Sequence, residues 1–442
     1  MGYSMSVVTV LWLCCLFSMS ESVKIGIVGA GMGGATTAYY LREFCNAAPL
    51  DIHVFEKSGR VGGRLKHIEI EDIVVEVGGD AWATENYYLR EIAAKLNIQY
   101  DNSTFNGNGI VGVWGGPGTP LKNVSEEISL SSIALLTAVE MFRRAIHLNY
   151  DDRTHQAAFT SIESFLKVAS LTDFSSVSVD DYLKNLGAKE SFIAETVEPI
   201  IRTIYDQEDT VQAFAGLVSV LPTFSDAYTA YGGNDAFVNE ILEFSKVKPT
   251  LNATVEAISR VGNLYDIELA SGDYQKDFDA VILAVPIEFA NLTFEGFKVP
   301  KITPRSYKHW YVTVIGASGL NPKYFGVQEV PDDILTLRNS KAPFHVLTGL
   351  ATTKSGLNIY KTFSNEPISD DVLDQIYLDR SFSYIQHWPY TFPDMSPTEI
   401  YQDIIIDDGL LYLNAIENIA TAMEASTIAG RNAAKMIAEK MC

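Results

Sequence analysis

Residues 23–28 (VKIGIV) form a mostly apolar run, four glycines follow within six residues, and apolar positions with helical spacing continue to Phe44. Pro49 closes that stretch, and DIHVFEK (51–57) alternates apolar and polar positions. The pattern predicts strand, glycine turn, helix and strand, a β-α-β unit that opens a parallel sheet. Leu135, Val139, Phe142 and Ile146 recur four, three and four apart, predicting a helix that starts near Glu126. Its stripe suits a core face, the wall of an apolar ligand cavity, or a membrane contact. Strand patterns return at 254–260, 264–270 and 278–286, the last continuously apolar like a strand covered on both faces. A strand over 410–415 precedes a final helix from about Thr421 to Lys440. Sheet-forming segments at the start, middle and end thus bracket two longer insertions.

Composition narrows the partners. With 33 Lys plus Arg against 55 Asp plus Glu, the net charge of -22 repels phosphate backbones and argues against nucleic acid. No later run approaches the 18 apolar residues of a membrane span. Val7 to Phe17 form an uncharged apolar core followed by Ser18 and Ser20, the pattern of a secretory signal, so residues 1–22 are expected to be removed. Sequons at Asn102, Asn123, Asn252 and Asn291 agree with secretory passage and are candidate glycosylation sites. Beyond the leader only Cys45 and Cys442 remain, either paired or as two separate thiols.

The glycines carry the first chemistry. Gly29 permits the tight turn out of the strand, Gly31 lets a pyrophosphate approach the backbone, and Gly34 lets helix and strand pack closely. The helix then turns unpaired N–H groups and its positive end toward the phosphate. Glu56, at the end of the second strand, suits the ribose hydroxyls of an adenosine and repels a 2'-phosphate. A dinucleotide site follows, with NAD and FAD both open. GRVGGRL (59–65) and EVGGDAW (76–82) add a second glycine-rich layer that an ordinary NAD domain does not need, with Arg60 and Arg64 available to neutralise a diphosphate.

From VKIGIVGAGMGG through EKSGRVGGR to LLYLNAIENIATAMEASTIAGRNAA (410–434), the chain resembles the glutathione-reductase-like flavoproteins that include the amine oxidases, and within them the prenylcysteine oxidases. The resemblance implies an α/β fold: a Rossmann-like FAD-binding domain with a parallel sheet and a β-meander, interleaved with an α+β substrate domain. It divides the mature chain into FAD-binding segments 23–90, 225–300 and 395–442 and substrate segments 91–224 and 301–394. It implies that Gly29, Gly31, Gly34, Glu56, Arg64, Gly79, Val255, Glu417, Ala422 and Met423 hold FAD. No cysteine lies between 46 and 441, so the flavin is expected to be held without a covalent bond.

The activity implied is oxidative cleavage of the thioether in S-farnesyl- or S-geranylgeranyl-cysteine by dioxygen and water, giving cysteine, a prenyl aldehyde and hydrogen peroxide. The family and the acidic composition together imply a lysosomal location, with secretion the alternative, and the sequence clusters no metal ligands, so no metal is expected. Peripheral contact with a membrane or lipid particle stays open. His387 and Trp388 in QHWPYTFP are candidates for side chains near the flavin ring, with Tyr390 behind them, and Lys308 and His309 for oxygen reaction or the amino-acid head. The alternatives are a flavin amine or polyamine oxidase and a non-enzymatic prenyl carrier of the same fold.

Overall fold

The structure, a computed structural model, describes residues 22–46, 49–102, 111–123, 130–149 and 158–442. Residues 1–21 of the expected leader and the side chains of Asn123 and Ile146 lie outside them.

Strand Val23–Val28 runs directly into helix Met32–Phe44 and then strand Leu50–Phe55. They join a five-stranded sheet in the spatial order 50–55, 23–28, 280–283, 410–412, 405–407, parallel except for the last strand. Ala280–Leu283 is buried at all four positions, as an apolar run covered on both faces should be. A meander of Val255–Val261, Leu264–Leu269 and Tyr274–Phe278 forms most of a four-stranded sheet beside it.

The last strand is shorter than its sequence suggests. Leu410–Tyr412 gives way to a 3-10 turn over Leu413–Asn418, and the closing helix spans Met423–Met441. That helix lies on the first one. A Cβ on Gly430 would stand 2.5 Å from Thr36 Oγ1, so only glycine allows this approach. At the far end of the pair Cys45 and Cys442 form a disulfide, Cα atoms 5.4 Å apart, which resolves the choice the sequence left open.

The other body has a sheet and a helical layer. Seven strands follow the order 382–388, 310–317, 358–364, 346–352, 333–336, 111–114, 122–123, antiparallel except where 333–336 meets 111–114. Helices Leu130–Asn149, Ile162–Val168, Glu198–Tyr205 and Ala213–Val220 supply the second layer. The stripe on the first of these is core: Leu135, Val139 and Phe142 are buried, and Phe142 packs edge-on against Phe174 and Phe214. Among the described residues no helix is long and apolar enough to cross a membrane.

Candidate active site

A cavity of about 940 Å³ runs between the two bodies. It brings together Gly29, Gly31, Glu56, Arg64, Gly79, Val255, Glu417, Ala422 and Met423, every expected cofactor residue except Gly34.

Gly29, Gly31 and Gly34 have different reasons to be glycine. Gly29 has φ +106°, and a Cβ there would lie 2.7 Å from Ala284 O. A Cβ on Gly34 would lie 2.0 Å from Gly29 O, so this residue serves the packing of helix on strand and never reaches the cavity. Gly31 is the informative one. Its φ of -85° suits any residue, and a Cβ would meet only ordinary contacts at 3.7 Å or more. Nothing in the protein requires glycine there, and the space kept clear belongs to the cavity. Gly31 also caps helix Met32–Phe44 without a side-chain bond, and the first turn holds no acid. The positive helix end therefore faces the cradle without a counter-charge of its own.

Glu56 is fixed by its own backbone surroundings: Ala30 N donates to Oε2 at 2.9 Å and Ser58 N to Oε1 at 2.8 Å. Each oxygen keeps a second lone pair for a ribose hydroxyl. Arg60 does not face a diphosphate. Its guanidinium donates to the carbonyls of Val61, Gly63 and Leu65 and so curls the loop that presents Gly62 and Gly63 to the cavity.

Arg64 and Glu417 form the electrostatic centre. Arg64 Nη2 donates to Glu417 Oε1 and Nη1 to Thr391 O at 2.7 Å, while Tyr307 and Asn414 also donate to the same carboxylate at 2.7 and 2.8 Å. Burial alone would raise Glu417, but Arg64, Arg305 and these hydrogen bonds outweigh it and hold the carboxyl below its ordinary range. Behind it, buried Arg305 pairs with Glu288 at 2.7 Å.

Beyond the cradle the wall becomes apolar, with Phe165, Val168, Leu171, Phe214, Val218 and Leu221 supplied by the helical layer. Val168 is 61% exposed, so this arm reaches the surface. From the sheet side come Trp388 and Tyr390, the latter stacked on Phe289 with ring centroids 3.5 Å apart.

Three expected site residues do not line the cavity. His387 and Trp388 are neighbours on strand Phe382–Trp388, whose side chains alternate between faces, so both cannot reach the cavity. Trp388 does. His387 stacks on Tyr311 at 4.3 Å on the exposed face, joined there by His309, whose Nε2 meets Asn365 O. Lys308 is likewise absent from the cavity wall. Of the sequons, Asn102, Asn252 and Asn291 are exposed.

Two side chains at this site gave no sequence signal of their own. Asn234 donates to the carbonyls of Gly79 and Asp80 at 3.0 and 2.8 Å, and Lys361, only 2% exposed, pairs with Asp80 at 2.8 Å. A polar residue opening a helix and a lysine inside an apolar strand become readable only when the fold brings residues 76–80 beside them.

Fold and site together define a Rossmann-like dinucleotide-binding protein whose cofactor trough continues into an apolar cavity. Comparison with known proteins narrows this further. A family model described as prenylcysteine lyase matches residues 135–442, and one for an NAD(P)-binding Rossmann-like domain matches residues 27–96. The chain belongs to the prenylcysteine lyase family. It is 26% identical to farnesylcysteine lyase of Arabidopsis thaliana, over 93% of this chain and 87% of that one. It is 27% identical to prenylcysteine oxidase 1 of Mus musculus, over 96% and 92%. Among solved structures, a double mutant of putrescine oxidase aligns with a TM-score of 0.67 at 15% identity, over 94% of this chain and 100% of the other. A fatty acid isomerase from P. acnes aligns with a TM-score of 0.64 at 15% identity, over 96% and 100%; at such identities the likeness is one of fold.

Proposed function

We propose that this protein is a flavin-dependent oxidase that cleaves the thioether of S-prenyl-cysteine with dioxygen and water, releasing cysteine, a prenyl aldehyde and hydrogen peroxide. One observation carries the reading: a single cavity joins a phosphate cradle to an apolar arm. Such a cavity suits a dinucleotide together with a substrate that has a long hydrocarbon tail. The names of the relatives, farnesylcysteine lyase and prenylcysteine oxidase, point to the same substrate class.

FAD fits the residues present, because Gly31 keeps its cradle clear and Glu56 stands ready for a ribose. Gly29, Gly31, Gly79 and Val255 would hold it through the backbone, Glu56 through the ribose, and Ala422 and Met423 through the start of the closing helix. When bound, the flavin supplies the two-electron acceptor for a hydride from the carbon beside sulfur. The protein's own part is to hold the tail in the apolar arm, keep bulk water from the reacting carbon, and fix the Arg64–Glu417 pair beside the cofactor. The two described cysteines are joined to each other, which supports non-covalent binding.

We place the protein in the secretory pathway, in the lysosome ahead of secretion. The disulfide, the exposed sequons at Asn102, Asn252 and Asn291 and the acidic composition support this. Peripheral contact with lipid is supported by Ile133, Leu136 and Met141, each about half exposed on helix Leu130–Asn149. The test is aerobic incubation of purified protein with farnesylcysteine, assaying thiol, aldehyde and peroxide together. Equal amounts of all three support the reading; peroxide from a polyamine and none from farnesylcysteine would replace it with an amine oxidase.

A further inference from the structure

Once the carbon beside sulfur has lost a hydride, water must add to it, and a base must take the water's proton. Among the described residues no histidine lines the cavity, and five carboxylates do: Glu56, Asp80, Glu85, Glu417 and Glu424. Glu56, Glu417 and Glu424 are held by donors on both oxygens; Glu424 takes the N–H groups of Tyr88 and Leu89. Glu85 and Asp80 each keep one oxygen with no partner in the protein. Glu85 is bound to Arg143 of helix Leu130–Asn149 at 2.8 Å. Asp80 directly follows the Gly78–Gly79 pair of the cofactor cradle.

Asp80 has a second distinction, because it lines a separate cavity of about 170 Å³ together with Glu76, Lys361, Asp101 and Tyr231. Asp101 and Tyr231 are exposed, so this cavity leads outward. Lys361 Nζ binds Asp80 Oδ1 at 2.8 Å and Glu76 O at 3.2 Å, Oδ2 is buried without a partner, and the Asp80 side chain as a whole stays 18% exposed. Asn234 fixes the Asp80 backbone. Burial pushes the Glu76 carboxyl well above its ordinary value, aided by Asp80 and Asp235 and opposed by the Asn234 N–H and Lys361. Asp235 in turn is paired with His67 at 2.6 Å.

We propose that Asp80 is the base of the hydration step, with Lys361 holding its carboxylate in place and the small cavity giving its proton a way to solvent. The assignment rests on the function proposed above. In that step a C–O bond forms as one O–H bond of water breaks, and the proton goes to the Asp80 carboxylate. The C–S bond then breaks while the hydroxyl proton moves to the departing sulfur, leaving thiol and aldehyde.

The test is an anaerobic single turnover of the flavin-loaded full chain with farnesylcysteine, following flavin absorbance and free thiol together. In the unaltered protein the two should run at one rate. In Asp80→Asn bleaching should stay within about threefold while thiol release falls roughly a hundredfold, as loss of a general base costs. Lys361→Met should keep the base but hold it loosely, so that thiol release slows roughly tenfold while bleaching stays within about threefold, and Lys361→Arg should restore the release. Flavin content per chain checks each variant, and if Asp80→Asn fails to load, Lys361→Met carries the test. Unchanged thiol release in Asp80→Asn, an equal fall in bleaching and release, or thiol release in Lys361→Met as fast as in the unaltered protein would overturn the assignment. Failure of the unaltered protein to bleach would instead overturn the oxidase reading, and this assignment with it.

Discussion

Arg64 and Glu417 lie 353 residues apart in the chain and form one hydrogen-bonded ion pair on the wall of the main cavity. The pair ties the second glycine-rich loop to the turn before the closing helix, so two segments of the cradle are held in register by one contact. Glu417 is buried and receives three donors, and removing its charge leaves Arg64 and Tyr307 without their partner. Glu417→Gln should cost about 3 kcal/mol of stability at pH 7 and weaken flavin binding, read by thermal unfolding and by flavin content. Glu417 is held low in the folded state, so its contribution is complete above its unfolded value and disappears as pH falls through the folded one. The gap between variant and unaltered protein should therefore close on acidification.

Gly31 and Gly34 separate cofactor binding from folding. Gly31→Val should fold with unchanged unfolding temperature in flavin-free protein. It should bind flavin roughly tenfold more weakly or worse, since overfilling a formed contact costs about 1–3 kcal/mol. Gly34→Ala should do the reverse and lower folded yield, because its Cβ falls on Gly29 O. Titration with FAD, set beside unfolding of the same samples, distinguishes the two.

Glu198 is fully buried at the head of helix Glu198–Tyr205. Burial, helped by Asp209 and opposed by Arg338, pushes its carboxyl up to about 7. An acid raised on folding binds its proton more tightly in the native state, so stability is full below its unfolded value and falls as pH rises toward 7. The difference between the protein and Glu198→Gln should grow from near zero at pH 4 to about 2–3 kcal/mol in favour of the variant at pH 8. Denaturant unfolding at several pH values measures it. The direction suits an acidic compartment.

The Cys45–Cys442 bond spans 397 residues and clamps the first helix to the last. By loop-closure entropy its removal in Cys45→Ser with Cys442→Ser should cost about 4–6 kcal/mol, and reduction of the unaltered protein should reproduce that loss in chemical denaturation.

The sequence made the cradle legible because its demands are local. A glycine that must clear a ligand, or an acid at a strand end, is written at one position, and Gly31 and Glu56 both line the cavity. The buried apolar strand at Ala280–Leu283 was legible for the same reason. The sheet side of the cavity wall was not. Choosing between His387 and Trp388 needed the phase of a strand, and a slip of one residue exchanges the faces. Lys361 looks like an isolated charge in NIYKTFS, and its partner Asp80 lies 281 residues away. Cys45 and Cys442 could be matched only once the two helices were seen side by side. Long-range pairs of this kind are made by topology, which short-range pattern does not encode.

The account depends on the cavity holding a redox-active flavin next to a prenyl thioether. Mixing the purified protein anaerobically with one equivalent of farnesylcysteine and recording the visible spectrum tests this most directly. The account predicts a yellow protein whose absorbance bleaches as one cysteine thiol and one aldehyde form per flavin. A colourless protein that takes up no FAD, or a yellow one that farnesylcysteine leaves unbleached, would contradict it.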